Sequence, residues 1–195
     1  MKRLLYIFLI LPMIGQSQTF EFGTGASFTK FDGQIYSEDV KQYVSIEDSP
    51  QLTFNAVFSA NVPLKYVTPE VVVGINPTAA LSLFYSTIAL DIPVLATIKL
   101  GAGSSEKSDG VLGLGLGLGG QFSVFSTYVN ASFAPVHYSG VMILPIISGE
   151  TTVIFRGYNL YKVRVDITPV PIQRINKKFI GDISQINIRL LRSFL

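Results

Sequence analysis

The chain has 195 residues, no cysteine, no tryptophan and a single histidine, which excludes disulfide frameworks, thiol chemistry and metal centres built from His/Cys clusters. Charged residues make up only 14% of it, against roughly a quarter in soluble domains, a composition suited to a surface sheathed in lipid. The formal net charge of +2 gives no electrostatic footprint for nucleic acid as a partner.

Met1-Lys2-Arg3 is a short basic start, and Leu4 to Ile14 is apolar throughout. Gly15 and Ser17 then supply small residues where a signal peptidase needs them, so the pattern predicts a signal peptide over 1–17, cleaved after about Ser17. The apolar run is shorter than the roughly 20 residues of a spanning helix. Residues 18–195 fit one domain, with no internal repeat. No later segment is long and apolar enough for a transmembrane helix. Membrane residence would therefore require a closed barrel, the other fold that satisfies its backbone in lipid.

Period-two alternation, the mark of a strand with two unlike faces, recurs along the rest of the chain. Thr19 to Thr29 sets Phe20, Phe22, Ala26 and Phe28 against Glu21, Gly23, Gly25 and Ser27. Gln51 to Asn61 alternates likewise, and Leu64 to Asn76 less regularly. Ser86 to Leu100 opposes Ile88, Leu90, Ile92, Val94, Ala96 and Ile98 to Asp91, Thr97 and Lys99. Val111 to Gly120 reads VLGLGLGLGG, with leucine at 112, 114, 116 and 118 and glycine between; the phase runs on through Phe122 and Val124. A helix would lose about 1 kcal/mol per glycine there, so the segment is read as a strand with one apolar and one empty face. Tyr128 to Val136 is a weaker candidate. Thr152 to Thr168 and Ile180 to Arg192 close the series. The run Val141 to Ile147 (VMILPII) has no alternation and leaves a count of ten strands open.

About eight long strands point to an antiparallel up-and-down transmembrane β-barrel of the outer-membrane type. Asn61-Val62-Pro63 is read as a tight turn, and Lys30–Pro50 and Pro169–Lys178 as external loops. With the apolar faces outside, the lumen collects Glu21, Asp91 and Asp166 with Lys99, Arg156, Lys162, Arg164 and Arg189. An eight-stranded lumen is just wide enough to be filled by side chains, so these charges should pair into a plug rather than line a pore. Tyr66, Tyr85, Tyr128 and Tyr158 are the candidates for the interfacial girdle.

The chain resembles the small outer-membrane β-barrel domain family common in Bacteroidetes (PorT-like). The resemblance rests on Leu90-Asp91-Ile92-Pro93-Val94-Leu95, similar to that family's L-E-I-P-hydrophobic-L strand, and on the glycine-rich strand that follows. It implies a barrel inserted by the barrel-assembly machinery and is nearly silent on activity. Family members often end in an aromatic residue; this chain ends Phe194-Leu195.

One constellation carries possible chemistry. His137 and Ser139 share a face in an extended segment, and Glu150 follows; this is similar to the H-x-S and downstream acid of outer-membrane lipid A deacylases. Gly140 stands where those enzymes carry asparagine. The balance of these features favours a non-enzymatic outer-membrane protein without a cofactor or metal. Its contacts would be membrane lipid and, through loop 30–50, a protein partner. The alternatives are a lipid hydrolase using His137, Ser139 and Glu150, and a soluble secreted barrel with the apolar stripes inside around a small ligand.

Overall fold

The computed structural model describes residues 19–46, 50–84, 87–102, 104, 110–132, 134–155, 159–175 and 178–194. Residues 1–18, on which the expected signal peptide falls, Tyr85, Arg156, Tyr158 and the side chain of Phe194 lie outside the described residues. Among the described residues, ten strands form one antiparallel sheet: β1 (Thr19–Ser37), β2 (Gln42–Ser45), β3 (Gln51–Thr68), β4 (Val71–Phe84), β5 (Thr87–Gly101), β6 (Leu112–Val129), β7 (Val136–Phe155), β8 (Asn159–Ile167), β9 (Ile172–Ile175) and β10 (Phe179–Phe194). β1 pairs with β10 from Phe20↔Phe194 to Ile35↔Phe179, which closes the sheet into a ring. Eight strands make the ring in up-and-down order. The four-residue strands β2 and β9 are additions at the rim opposite the chain ends.

Several strand boundaries differ from those read in the sequence. Leu64–Asn76 is not one strand, because the chain reverses between Thr68 and Val71. Asn61-Val62-Pro63 is not a turn but the interior of β3, whose register slips between Pro63/Lys65 and Tyr66/Thr68. Such bulges erase the alternation that would have marked the strand. Tyr128–Val136 spans the β6–β7 hairpin rather than a strand, and Thr152–Thr168 joins the end of β7 to the whole of β8. The supposed loop 30–50 holds the last eight residues of β1, which folds back as β2. The supposed loop 169–178 holds β9.

The leucine stripe faces outward: Leu112, Leu114, Leu116 and Leu118 are 61–67% exposed, while Gly113, Gly115 and Gly117 point into the ring. Phe20, Phe22 and Phe28 on β1, Ile88, Val94 and Ile98 on β5, and Ile186, Ile188 and Leu190 on β10 continue the exposed apolar surface. This is the reverse of a soluble barrel around an apolar ligand. Tyr66 and Tyr128 are exposed toward opposite rims.

Toward the rim away from the termini the pattern inverts. On β1 beyond Thr29 the buried positions are Phe31, Ile35 and the terminal Ser37, and the exposed ones are Asp32 and Gln34. On β10 the buried side changes from Gln185 to Ile183 and Phe179 at the same height, since Phe31 pairs with Ile183. An apolar interior with a polar exterior is the arrangement for water outside, so the strands leave the membrane near Thr29 and Gln185. The expected polar lumen is therefore corrected for its outer part. There Phe31, Phe125, Tyr138 and Phe179 pack edge-on or tilted at 5.3–6.0 Å between ring centroids, with Ile35, Val44, Val129, Met142 and Leu144. VMILPII lies in β7 and lacks alternation because one face meets lipid and the other meets this cluster.

The outer mouth is also crossed. Ser132 donates through both its backbone N–H and its hydroxyl to the Ser45 carbonyl, each at 3.1 Å, and Ile46 bridges to Ala131. The β1–β2 hairpin is thus tied to the β6–β7 turn across the barrel.

The β7–β8 ladder ends at Ile147↔Ile167, whereas β6–β7 runs on to Val129↔Val136. Continued in register, Pro145 would face Pro169, and neither has an N–H to give. β9 resumes pairing with β10 only, two residues out of step with β8.

Candidate functional site

The lumen charges come from the inward phase of five strands: Glu21 on β1, Asp91 and Lys99 on β5, Glu150 on β7, Lys162, Arg164 and Asp166 on β8, and Arg189 on β10. All eight are buried. They sort into two layers, with Asp91 beyond them.

The layer nearer the termini is a quartet. Lys162 contacts Glu21 directly and stands 3.4 Å from Glu150 Oε1; Lys99 Nζ lies 3.0 Å from the same oxygen. Asn61 links the halves, donating to Glu21 and accepting from Lys99. Ser193 donates to Glu21 at 3.3 Å. Gly115 supplies the space: a Cβ there would fall 2.4 Å from Glu150 Cγ and 2.7 Å from its Oε1. We expect Gly115→Ala to displace Glu150 and loosen its bond to Lys99, lowering the unfolding midpoint in urea. Gly149→Ala, where an added Cβ has nothing within 4 Å, serves as the control. Equal midpoints for the two variants would contradict the assignment.

The middle layer holds Arg164, Asp166 and Arg189. Arg189 Nη1 donates to Asp166 Oδ2, and Arg164 Nε faces Asp166 Oδ1 at 3.3 Å. Arg164 also donates to Asn76 Oδ1 and, at 2.9 Å, to Thr78 Oγ1. Asp91 stands apart, with no cation within ion-pair distance among the described residues. It accepts from Gln185 Nε2 at 3.4 Å, and Gln185 in turn accepts from Gln121 at 2.6 Å. Four acids and four bases make this described lumen set neutral.

The sequence reading named seven of these eight charges for the lumen, placing Glu150 in a catalytic set instead, and missed the amides that join them, chiefly Asn61, Asn76, Gln121, Gln185 and Asn187. The in-phase signal was present for Asn187, beside Arg189. It was hidden for Asn61, which sat in the supposed turn.

His137, Ser139 and Glu150 do not come together. His137 and Ser139 point outward near the outer rim, while Glu150 points into the quartet at the other end of β7. His137 Nε2 shares a 2.8 Å hydrogen bond with Ser126 Oγ, and its ring packs against Tyr128 at 5.2 Å. The described residues contain no group of three or more potential metal ligands.

No family model and no curated protein sequence matches the chain. Solved structures do. Ail, the attachment invasion locus protein of Yersinia pestis, in complex with the heparin analogue sucrose octasulfate, superposes with TM-score 0.53 at 8% identity, over 91% of this chain and 97% of that one. Ail alone gives 0.50 at 11%, with the same coverage. Neisserial surface protein A gives 0.45 at 10% identity, over 92% of this chain and 99% of that one. At such identities the likeness to Ail concerns the fold, and that fold is the eight-stranded outer-membrane β-barrel.

Proposed function

We propose that the chain is an outer-membrane protein whose barrel conducts nothing and serves as a rigid mount for the hairpin made by the outer end of β1 and β2. The filled lumen carries this reading: two charged layers lie below the aromatic cluster, and a hairpin is tied across the mouth. With the chain ends on the periplasmic side, as in bacterial barrels, the hairpin stands outside the cell. Its surface offers Tyr36 and Tyr43 packed edge-on at 5.5 Å, and the exposed Val40 at the tip, features that suit a protein partner. Outer-membrane lipid covers the leucine stripe, and the barrel-assembly machinery inserts the chain.

Reconstituted into planar bilayers, the protein is expected to give no steady conductance; persistent open steps would overturn the reading. The membrane assignment has its own check. Heat-modifiable mobility on a detergent gel is the expected result, and recovery in the aqueous fraction without detergent would defeat it. The lipid-hydrolase alternative has no geometric support, since its acid lies on the opposite face of β7 from its base and nucleophile.

A further inference from the structure

The register lines up one row of inward residues across four strands: Arg189 on β10 faces Gly25 on β1, Gly25 faces Asn55 on β3, and Asn55 faces Ser82 on β4. Asn187 is the next inward residue on β10 and faces Ser27, which accepts from Asn55 Nδ2 at 2.8 Å. Arg189, Asn55, Ser82 and Asn187 are at most 4% exposed. Each nevertheless keeps a polar atom that no protein atom satisfies: Arg189 Nε and Nη2, Asn55 Oδ1, Asn187 Oδ1 and Ser82 Oγ. Gly25 lets these side chains crowd onto the wall, because a Cβ there would lie 2.5 Å from Asn55 Oδ1, 2.7 Å from the Ile188 carbonyl oxygen and 3.1 Å from Arg189 Cγ.

Buried donors and acceptors are satisfied in native proteins, by protein or by ordered water. Leaving any of these atoms bare would carry the full desolvation penalty of a buried polar group. The group mixes two donors with three oxygens. An anion would suit the guanidinium edge but meet the two amide oxygens, and a cation would suit the oxygens but meet the guanidinium. Either ion would also unbalance a neutral set of buried charges, a large penalty in a low-dielectric interior. Water can donate and accept at once, and needs two to four polar partners in reach.

We propose that the middle of the lumen is a built water site: ordered water bridges the Nε/Nη2 edge of Arg189 to Asn55 Oδ1, and extends to Ser82 and Asn187. Arg189 then holds Asp166 with one nitrogen and bound water with the others. The barrel is wet at its centre although closed at its outer end.

The test is a high-resolution diffraction map of the unaltered protein in detergent or lipid. The expected result is solvent density about 2.7–3.2 Å from both an Arg189 nitrogen and Asn55 Oδ1. Loss of that density in Asn55→Leu, if the variant folds, would agree. Direct bonding of Arg189 to Asn55 or Asn187, with no density between, would overturn the proposal. So would an anomalous peak at Arg189 after a bromide soak, which would make the site an ion site.

Discussion

Replacing Lys162 with methionine is expected to cost the folded barrel about 3–5 kcal/mol, the range for removing one partner from a buried ion pair. Lys162 is the only described cation touching both Glu21 and Glu150. Without it two buried carboxylates share Lys99, and the quartet carries an uncompensated negative charge. The cost comes from stranding that charge rather than from losing the attraction, because a buried pair is worth little against an apolar isostere. Lys162→Met combined with Glu21→Gln removes the imbalance and should recover most of the loss. Urea titrations in lipid vesicles, followed by heat-modifiable mobility, read both. If the single variant loses less than about 1 kcal/mol, or the double variant loses more than the single, the quartet is not a charge-balanced unit.

A second large effect is expected on the opposite face of the wall. Leu118 lies halfway along the outward apolar run from Leu112 to Val124 and is 64% exposed. Arginine there would sit near the bilayer midplane, where it costs about 2–4 kcal/mol in a transmembrane barrel. The same change at Leu112, close to the rim nearer the chain ends, should cost about 0–1 kcal/mol, because its side chain reaches the headgroups. Depth dependence is the discriminating readout. Equal penalties at the two positions, or none at Leu118, would mean that this face does not meet lipid.

The barrel was legible where one face met lipid and the other met small or polar side chains. Leu112 to Leu118 opposite glycine and Phe20 to Phe28 opposite Glu21 and Ser27 gave both strand and orientation. The same period carried the inward charges, because side-chain direction follows directly from it. What was not legible lay where the two environments ceased to differ or where backbone pairing slipped. In Met142 to Ile147 both faces are apolar, so a strand core and an apolar loop read alike. Around Pro63 to Thr68 the bulges shift the phase, so one strand read as a strand, a turn at Asn61 to Pro63 and a second, irregular strand. The aromatic cluster was missed because Phe31 and Ile35 alternate correctly but in the opposite sense, beyond the point where the strand seemed to end. Glu150 was seen as a catalytic acid because spacing along a strand does not show that residues 137 and 150 fall on opposite faces unless parity is followed. The amide links could not be foreseen, since they join residues far apart in sequence, such as Gln121 and Gln185.

The short β7–β8 ladder has a consequence for how the ring gives way. Closure of a cylinder is only as strong as its weakest seam, and here one seam stops at Ile147↔Ile167 while β7 still presents Val141 and Ile143 to lipid. Strands released from a ladder open locally at lower free energy than those paired on both sides. Fluctuations of this wall are therefore concentrated in one vertical sector, directly beside Tyr138, Met142 and Leu144. The aromatic cluster spans that sector from the inside, joining β7 to β1 and β10 through Tyr138, Phe31 and Phe179. Packing thus takes over the role of hydrogen bonding where prolines interrupt it, and the interior serves as the fastener of its own wall.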